Sequence, residues 1–145
     1  MDIRLTSGMS AEEMQPYWPD IVRCLETYCA KFPEETVENI IAECAQGKRQ
    51  LWICTENGRV VLTPITEIVT VNASGKKQLL LAEVGGSKLR KCMPLLAEIE
   101  AWAKEQGAET SKLIGRSTSK ATSGWTAHLL PCGYQPTAVV YEKRL

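Results

Sequence analysis

Apolar residues crowd between positions 79 and 103, and their spacing changes midway. Leu79, Leu80, Leu81, Ala82 and Val84 form a short run between Lys76-Lys77 and Gly85-Gly86. A run of that length without alternation predicts a strand covered on both faces, at the centre of a sheet. Beyond the glycines, Leu89, Met93, Leu96, Ile99, Trp102 and Ala103 recur at three- and four-residue steps, the period of a helix with one buried face. Glu98, Glu100, Lys104 and Glu105 take the other side, and Gly107 is placed to end the helix in a left-handed conformation. A strand that enters a helix through a glycine turn leaves free N–H groups at the helix start, where a phosphate can sit.

The same reading extends to both sides. Asp2 to Thr6 alternates and predicts a first strand. Ser10 with Glu13 is a capping-box pattern for a short helical turn, interrupted by Pro16. A longer helix follows from near Tyr17 to Pro19, with Trp18, Ile21, Val22, Leu25, Tyr28 and Cys29 inward, and a further one with Val37, Ile40, Ile41 and Cys44 inward, ending at Gly47. Residues 50–55 and 59–63 flank Asn57-Gly58, the strongest short hairpin signal. Pro64 marks a bulge or bend, and residues 65–71 continue the strand into a turn at 72–76. After the central helix, 111–114 predicts a short strand parallel to the central one. A polar loop (115–123), a short helix (124–130) stopped by Pro131, and a final strand over Thr137 to Leu145 complete the order β-α-α-β-β-β-α-β-α-β.

Composition narrows the classes. A chain of 145 residues predicts one domain, 1–145, with a sizeable core. Lysine plus arginine balance aspartate plus glutamate, 17 against 17, so no global field draws in nucleic acid or an anionic membrane. No apolar run approaches membrane-spanning length and no basic-then-apolar leader opens the chain, which predicts a cytoplasmic protein. The six cysteines lack C-x-x-C spacing and read as buried reduced thiols. With one histidine, His128, and only two aspartates, a metal site is not expected.

The element order, together with Ala103-Lys104-Glu105-Gln106-Gly107 before a strand and Leu130-Pro131-Cys132-Gly133-Tyr134 before the last one, resembles the GNAT (Gcn5-related N-acetyltransferase) family over nearly the whole chain. The resemblance implies a mixed, mostly antiparallel sheet with helices on both faces. Active members usually carry Q/R-x-x-G-x-G/A between the fourth strand and the central helix, whose amides hold the pyrophosphate of acyl-CoA. Here Val84-Gly85-Gly86-Ser87-Lys88 stands in that place with two adjacent glycines and a shorter turn. The shortened pattern looks like the small GNAT-like proteins of tailed bacteriophages, which implies a non-catalytic virion or accessory protein that binds a protein partner. The alternative it implies is an acetyl-CoA-dependent N-acetyltransferase with an amine substrate; a homo-oligomer fits either.

On that resemblance, Val84, Gly85, Gly86, Ser87 and Lys88 are the candidate acetyl-CoA-binding residues, with Arg90 and Lys91 adding charge. Glu83, at the end of the central strand, is the candidate catalytic base, a role that wants a raised pKa. Each has a plainer reading: the glycines as a tight turn, the cations as a solvated face, Glu83 as an ion-pair residue. Under the enzyme reading, Gly86→Glu abolishes acyl-CoA binding without unfolding the protein. Tyr134 and Tyr141 are expected to pack, and Trp18, Trp52, Trp102 and Trp125 to fill the core or an interface.

Overall fold

A computed structural model describes residues 1–115 and 124–145, which cluster into two compact units, Met1–Ile114 and Gly115–Leu145. In the first unit, β1 (Asp2–Leu5), β2 (Gln50–Glu56), β3 (Arg59–Thr70), β4 (Lys77–Gly86) and β5 (Ala108–Leu113) form one sheet in that order. The first four pair antiparallel; β4 and β5 pair in parallel, as a crossover through a helix requires. Asn57 and Gly58, with φ of 53° and 74°, make the β2–β3 hairpin.

Helices cover both faces. On one side lie α2 (Trp18–Lys31) and α3 (Val37–Ala45), preceded by α1 (Ala11–Met14). Ile21, Cys24, Leu25 and Ile40 pack there on Leu51, Ile53, Val60 and Ile65. On the other side lie α4 (Leu89–Cys92) and α5 (Leu96–Glu105), where Cys92, Ile99 and Ala103 pack on Trp52, Cys54, Leu62, Leu79 and Leu81. Strand β2 shows the logic: Leu51 and Ile53 face one layer, Trp52 and Cys54 the other. Each fully buried Ile or Leu contributes about 1.5–3 kcal/mol relative to exposure. The mixed α/β sheet with two helical layers is the one expected.

Local chemistry sets the element ends. Ser10 accepts from the Glu13 amide and Glu13 returns the bond to the Ser10 amide, the capping box read from the sequence. Pro16 turns residues 15–17 into a tighter helical turn. Pro94 does the same between α4 and α5, so the expected central helix is two segments joined by Met93–Leu95. Gly107 has a φ of 92° and ends α5. The buried side of α2 differs from the expected stripe: Asp20 and Cys24 point inward, while Trp18, Val22 and Cys29 are half-buried.

In the second unit, α6 (Thr126–Leu129) runs into a tight turn over Leu130–Cys132, closed by Gly133 with a φ of 87°. The polar loop at 116–123 lies outside the described residues. The final strand expected at Thr137 to Leu145 is not formed. Those residues have neither helix nor strand, and Val139, Val140 and Tyr141 are exposed, so Tyr141 is not a core residue. A strand needs a neighbour to satisfy its backbone groups, and none of the described strands pairs with this segment.

Candidate functional site

A single extra residue in β4 organises the candidate site. Thr66 of β3 pairs with Leu81, but Ile65 pairs with Glu83, so Ala82 has no partner opposite and forms a β-bulge. Side chains in a strand alternate, so one extra residue reverses every face that follows. Leu79 and Leu81 face α5; beyond the bulge, Glu83 and Gly85 face the α2–α3 layer instead. Pro64 was expected to mark an irregularity; it pairs with Val84, and the register shift lies one residue further along, between Ile65 and Thr66.

The bulge also coincides with the end of the pairing between β4 and β5. The last β4–β5 pair is Leu81 with Leu113, whereas β4 continues to Gly86. Among the described residues, no strand pairs with residues 82–86 on the β5 side. The backbone N–H and C=O groups that alternate along that edge are thus not engaged by any described strand.

Glu83 is 8% exposed and meets Arg49, whose Nη1 donates to both carboxylate oxygens at 2.9 and 3.1 Å. The same guanidinium reaches Glu43 at 2.7 Å and Glu35 at 3.4 Å. Three carboxylates around one guanidinium leave excess negative charge. Burial pushes the Glu83 carboxyl up, Arg49 pulls it back down, and Glu35 adds to the rise. Nothing in the sequence marked Arg49, which lies 34 positions from Glu83 and precedes the hairpin.

The two glycines were read as a turn. Both are in β4, paired with Thr63 and Leu62. Their role is close approach: a Cβ on Gly85 would stand 2.3 Å from the Cys24 carbonyl oxygen and 2.9 Å from its carbonyl carbon. One on Gly86 would meet the Val61 oxygen at 2.4 Å and the Cys24 sulfur at 3.0 Å, at a φ of 115° that side chains rarely adopt. Only hydrogen fits, because the α2 backbone crosses the strand at Gly85 and β3 backbone with the Cys24 sulfur closes on Gly86. The expectation that Gly86→Glu spares the fold is thereby overturned.

The next residues bend into α4. The Ser87 amide donates to Val61 O at 2.8 Å and is not free for a ligand. Lys88 caps α4 in the left-handed region, with a φ of 58° and ψ of 30°. Its Nζ lies 2.9 Å from Glu56 Oε1, with Lys91 Nζ 3.8 Å from the same oxygen. Lys88, and to a lesser degree Lys91, draw the Glu56 carboxyl below its usual range. The other oxygen, Oε2, is buried without a hydrogen-bond partner. The two cations thus already hold one carboxylate at the helix start, and Arg90 is exposed beside them. At α4 the amides of Leu89 and Arg90 precede the first intrahelical bond.

The structure therefore brings Glu83, Val84, Gly85, Gly86, Ser87 and Lys88 onto one strand end and helix start. It separates their tasks, with Glu83 in an ion-pair cluster, the glycines under α2 and Lys88 over Glu56. Sequence reasoning missed Asp20 entirely. Buried at the start of α2, it accepts from Arg59 at 2.8 and 2.9 Å, Arg23 at 2.6 Å and the Val60 amide at 3.1 Å, tying α2 to the hairpin. All six cysteines are free thiols, but of the expected buried set Cys24, Cys54 and Cys92 are buried, Cys29 and Cys44 are half-buried and Cys132 is exposed. Trp52 is buried and meets Trp102 edge-on at 5.3 Å, while Trp18, Trp125, Tyr134 and His128 are half-buried. An open groove bounded by Leu79, Ala103, Gly107 and Ser111 lies at the opposite end of β4.

No protein-family model matches the chain, and no curated protein matches it in sequence. Solved structures do match it in shape. A putative acetyltransferase from Agrobacterium tumefaciens superposes with a TM-score of 0.68 at 16% identity, covering 100% of both chains. A GNAT family acetyltransferase from Staphylococcus aureus gives 0.64 at 13%, covering 99% of this chain and 98% of that one. An aminoglycoside acetyltransferase from an uncultured soil metagenomic sample, in complex with sisomicin, gives 0.67 at 12%, covering 99% and 95%. At such identities the likeness speaks for architecture alone, and the chain has the fold of the GNAT acetyltransferases.

Proposed function

We propose that residues 1–145 form one GNAT-type domain that acts as an acetyl-CoA-dependent N-acetyltransferase on a cationic amine. The observation that carries this reading is the bulge at Ala82 together with the β4 edge over residues 82–86, with which no described strand pairs on the β5 side. An unpaired strand edge can hydrogen-bond an extended amide-bearing arm as a further strand would. The pantetheine arm has that chemistry, so this part of the group fits. The pyrophosphate would have to take the place of Glu56 between Lys88 and Lys91, since the Ser87 amide is engaged.

Acetyl-CoA would supply the activated acetyl group as a thioester. An amide on that edge of β4 would donate to the oxygen on which charge develops. Glu83 would hold the proton from the amine. Burial raises its affinity for that proton, and Arg49 keeps the carboxylate oriented until the amine arrives. The excess negative charge of Glu35, Glu43 and Glu83 suits a protonated amine, the class of ligand held by the sisomicin-bound neighbour.

Calorimetric titration of the purified chain with acetyl-CoA and with free CoA tests the reading. Micromolar binding with a raised melting temperature supports it, and amine acceptors are then screened for acetyl transfer. Absence of heat and of any thermal shift at millimolar ligand overturns it.

One observation favours a second reading, a non-catalytic scaffold that binds a protein partner. The space beside Gly85 is filled by the α2 backbone and that beside Gly86 by β3 and the Cys24 sulfur, and Lys88 already has an anionic partner. The narrower likeness to bacteriophage GNAT-like proteins rests on the residues alone and belongs to this second reading.

A further inference from the structure

One nitrogen in the Glu83 cluster is surrounded by more acceptors than it can serve. Arg49 Nη1 lies 2.9 and 3.1 Å from the two Glu83 oxygens and 3.4 Å from Glu35 Oε2. That nitrogen carries two hydrogens, so three carboxylate oxygens share two donors, whereas a primary ammonium carries three. The third oxygen is held in place by its own surroundings. Glu35 Oε1 accepts from Asn39 Nδ2 at 2.6 Å and from the Thr36 amide at 3.2 Å, at the start of α3, which leaves Oε2 for Arg49. The guanidinium has a separate anchor: its Nε meets Glu43 at 2.7 Å, the shortest of the Arg49 contacts. Of the three carboxylates, Glu83 has the least exposed side chain, 8%, and Glu43 the most exposed, 28%. Arg49 thus spans the cluster from its deepest carboxylate to its outermost. Its own residue lies in the bend between α3 and β2, just ahead of the first paired residue, Gln50.

From this mismatch we propose that Arg49 is a built-in competitor of the acceptor amine. Its Nη1 holds the place of a primary ammonium on Glu83, and the substrate enters by displacing that nitrogen while Glu43 retains the guanidinium through Nε. This role rests on the function proposed above, in which Glu83 receives the amine, and it narrows the acceptor to a primary one. The incoming ammonium donates one hydrogen to each Glu83 oxygen and one to Glu35 Oε2, as charge-assisted bonds. The exchange strands no buried charge, because Arg49 keeps Glu43 and the ammonium takes over Glu83 and Glu35. A quaternary ammonium has no hydrogen to offer and a tertiary one has a single hydrogen, so neither replaces Nη1 on its three oxygens. The resting contact lowers the affinity for the amine, which binds only the fraction of molecules in which Arg49 has left Glu83.

The test is an NMR titration of the isotope-labelled full chain, without acetyl-CoA, using methylammonium and, as the control, tetramethylammonium. The readouts are the Arg49 Nε–Hε signal and the Glu83 carboxyl carbon, assigned through Arg49→Gln and Glu83→Gln. Methylammonium should shift both signals saturably, and tetramethylammonium neither. In Arg49→Gln, methylammonium should bind at least about tenfold more tightly, with no such gain for tetramethylammonium. A purely structural Arg49 predicts the reverse, because carboxylates no longer held in place bind the amine more weakly. Unchanged or weaker methylammonium binding in the folded variant overturns the proposal, and so does an equal gain for both cations, which is attraction of bare charge. An unmoved Arg49 signal in the parent also overturns it, and the parent titration decides alone if the variant does not fold. The two readings fail separately. Displacement in a protein that never binds acetyl-CoA sinks the acetyltransferase, whereas amine acetylation with Arg49 unmoved sinks the displacement.

Discussion

Gly85→Ala adds one methyl group at the point where α2 crosses β4. The new Cβ would stand 2.3 Å from Cys24 O, 2.9 Å from Cys24 C and 3.3 Å from Leu25 Cα. A comfortable carbon–oxygen contact is about 3.3 Å or more, so helix and strand must separate by about 1 Å. All three atoms are backbone, and no change of rotamer relieves them. The helix cannot lift freely either, because Ile21 and Leu25 are wholly buried against Ile40, Ile53 and Ile65. Overpacking of a close-packed core costs about 1–3 kcal/mol and at times more, and a backbone-on-backbone clash belongs at the upper end. We expect a loss of about 3 kcal/mol, and a melting temperature lower by about 6–12 °C for a chain of this size. Urea unfolding followed by circular dichroism measures the first, thermal melts the second. Gly8→Ala is the control, because nothing lies within 4 Å of a Cβ there, and it should stay within about 0.5 kcal/mol of the parent. Equal stability of the two variants would refute the packing argument. So would a Gly85→Ala protein of unchanged stability that has lost acetyl-CoA binding, because the glycine would then serve the ligand and not the helix.

Three further outcomes follow from the charged groups. Asp20→Asn weakens the clasp on Arg59 and Arg23 and should cost about 2 kcal/mol at neutral pH, since both arginines are largely exposed. Hydrogen bonds from Arg59 hold the Asp20 carboxyl well below the usual carboxylate range, so its contribution is complete above about pH 4 and lost as pH falls further. The gap between parent and variant in acid unfolding should therefore narrow below about pH 4, and parallel curves would contradict this. Arg49→Met leaves Glu83 buried beside two other carboxylates and should cost about 3 kcal/mol at pH 7. Here the sign reverses. Burial raises the Glu83 pKa, so the variant should regain stability as pH falls from neutral toward the carboxylate range; melting temperatures across pH check this. Glu56→Gln removes the carboxylate beside Lys88 and Lys91 and should tighten acetyl-CoA binding by calorimetry, whereas unchanged or weaker binding argues that the phosphates do not sit there.

Local signals were legible where the chain's own neighbours settle them. The Asn57-Gly58 hairpin, the Ser10–Glu13 capping box and the end of α5 at Gly107 each follow from a few adjacent residues. The apolar periods of α2, α3 and α5 were equally readable, as was a β4 flanked on both sides, although it lies next to the edge strand β5 and β3 is the central strand. Pro94 was overlooked, though its effect on the helix is as local as that of Pro16. The strand expected over Thr137 to Leu145 failed for another reason. Its composition suits a strand, but a strand exists only with a partner.

The sequence by itself determined the element order as far as β5, the two-sided burial of the sheet and hence the GNAT-like architecture, because hydrophobic period and turn chemistry are properties of short stretches. Tertiary structure alone decided what the candidate site contains. The bulge at Ala82 depends on the register between β3 and β4 and decides that Glu83 meets Arg49 instead of α5. The glycine pair could be a turn, a phosphate cradle or a crossing point until the α2 backbone is placed on it. Whether Lys88 faces solvent or Glu56 turns on residues 32 positions apart. Each is a contact between segments distant in the chain, and a contact of that kind leaves no period or motif in either segment.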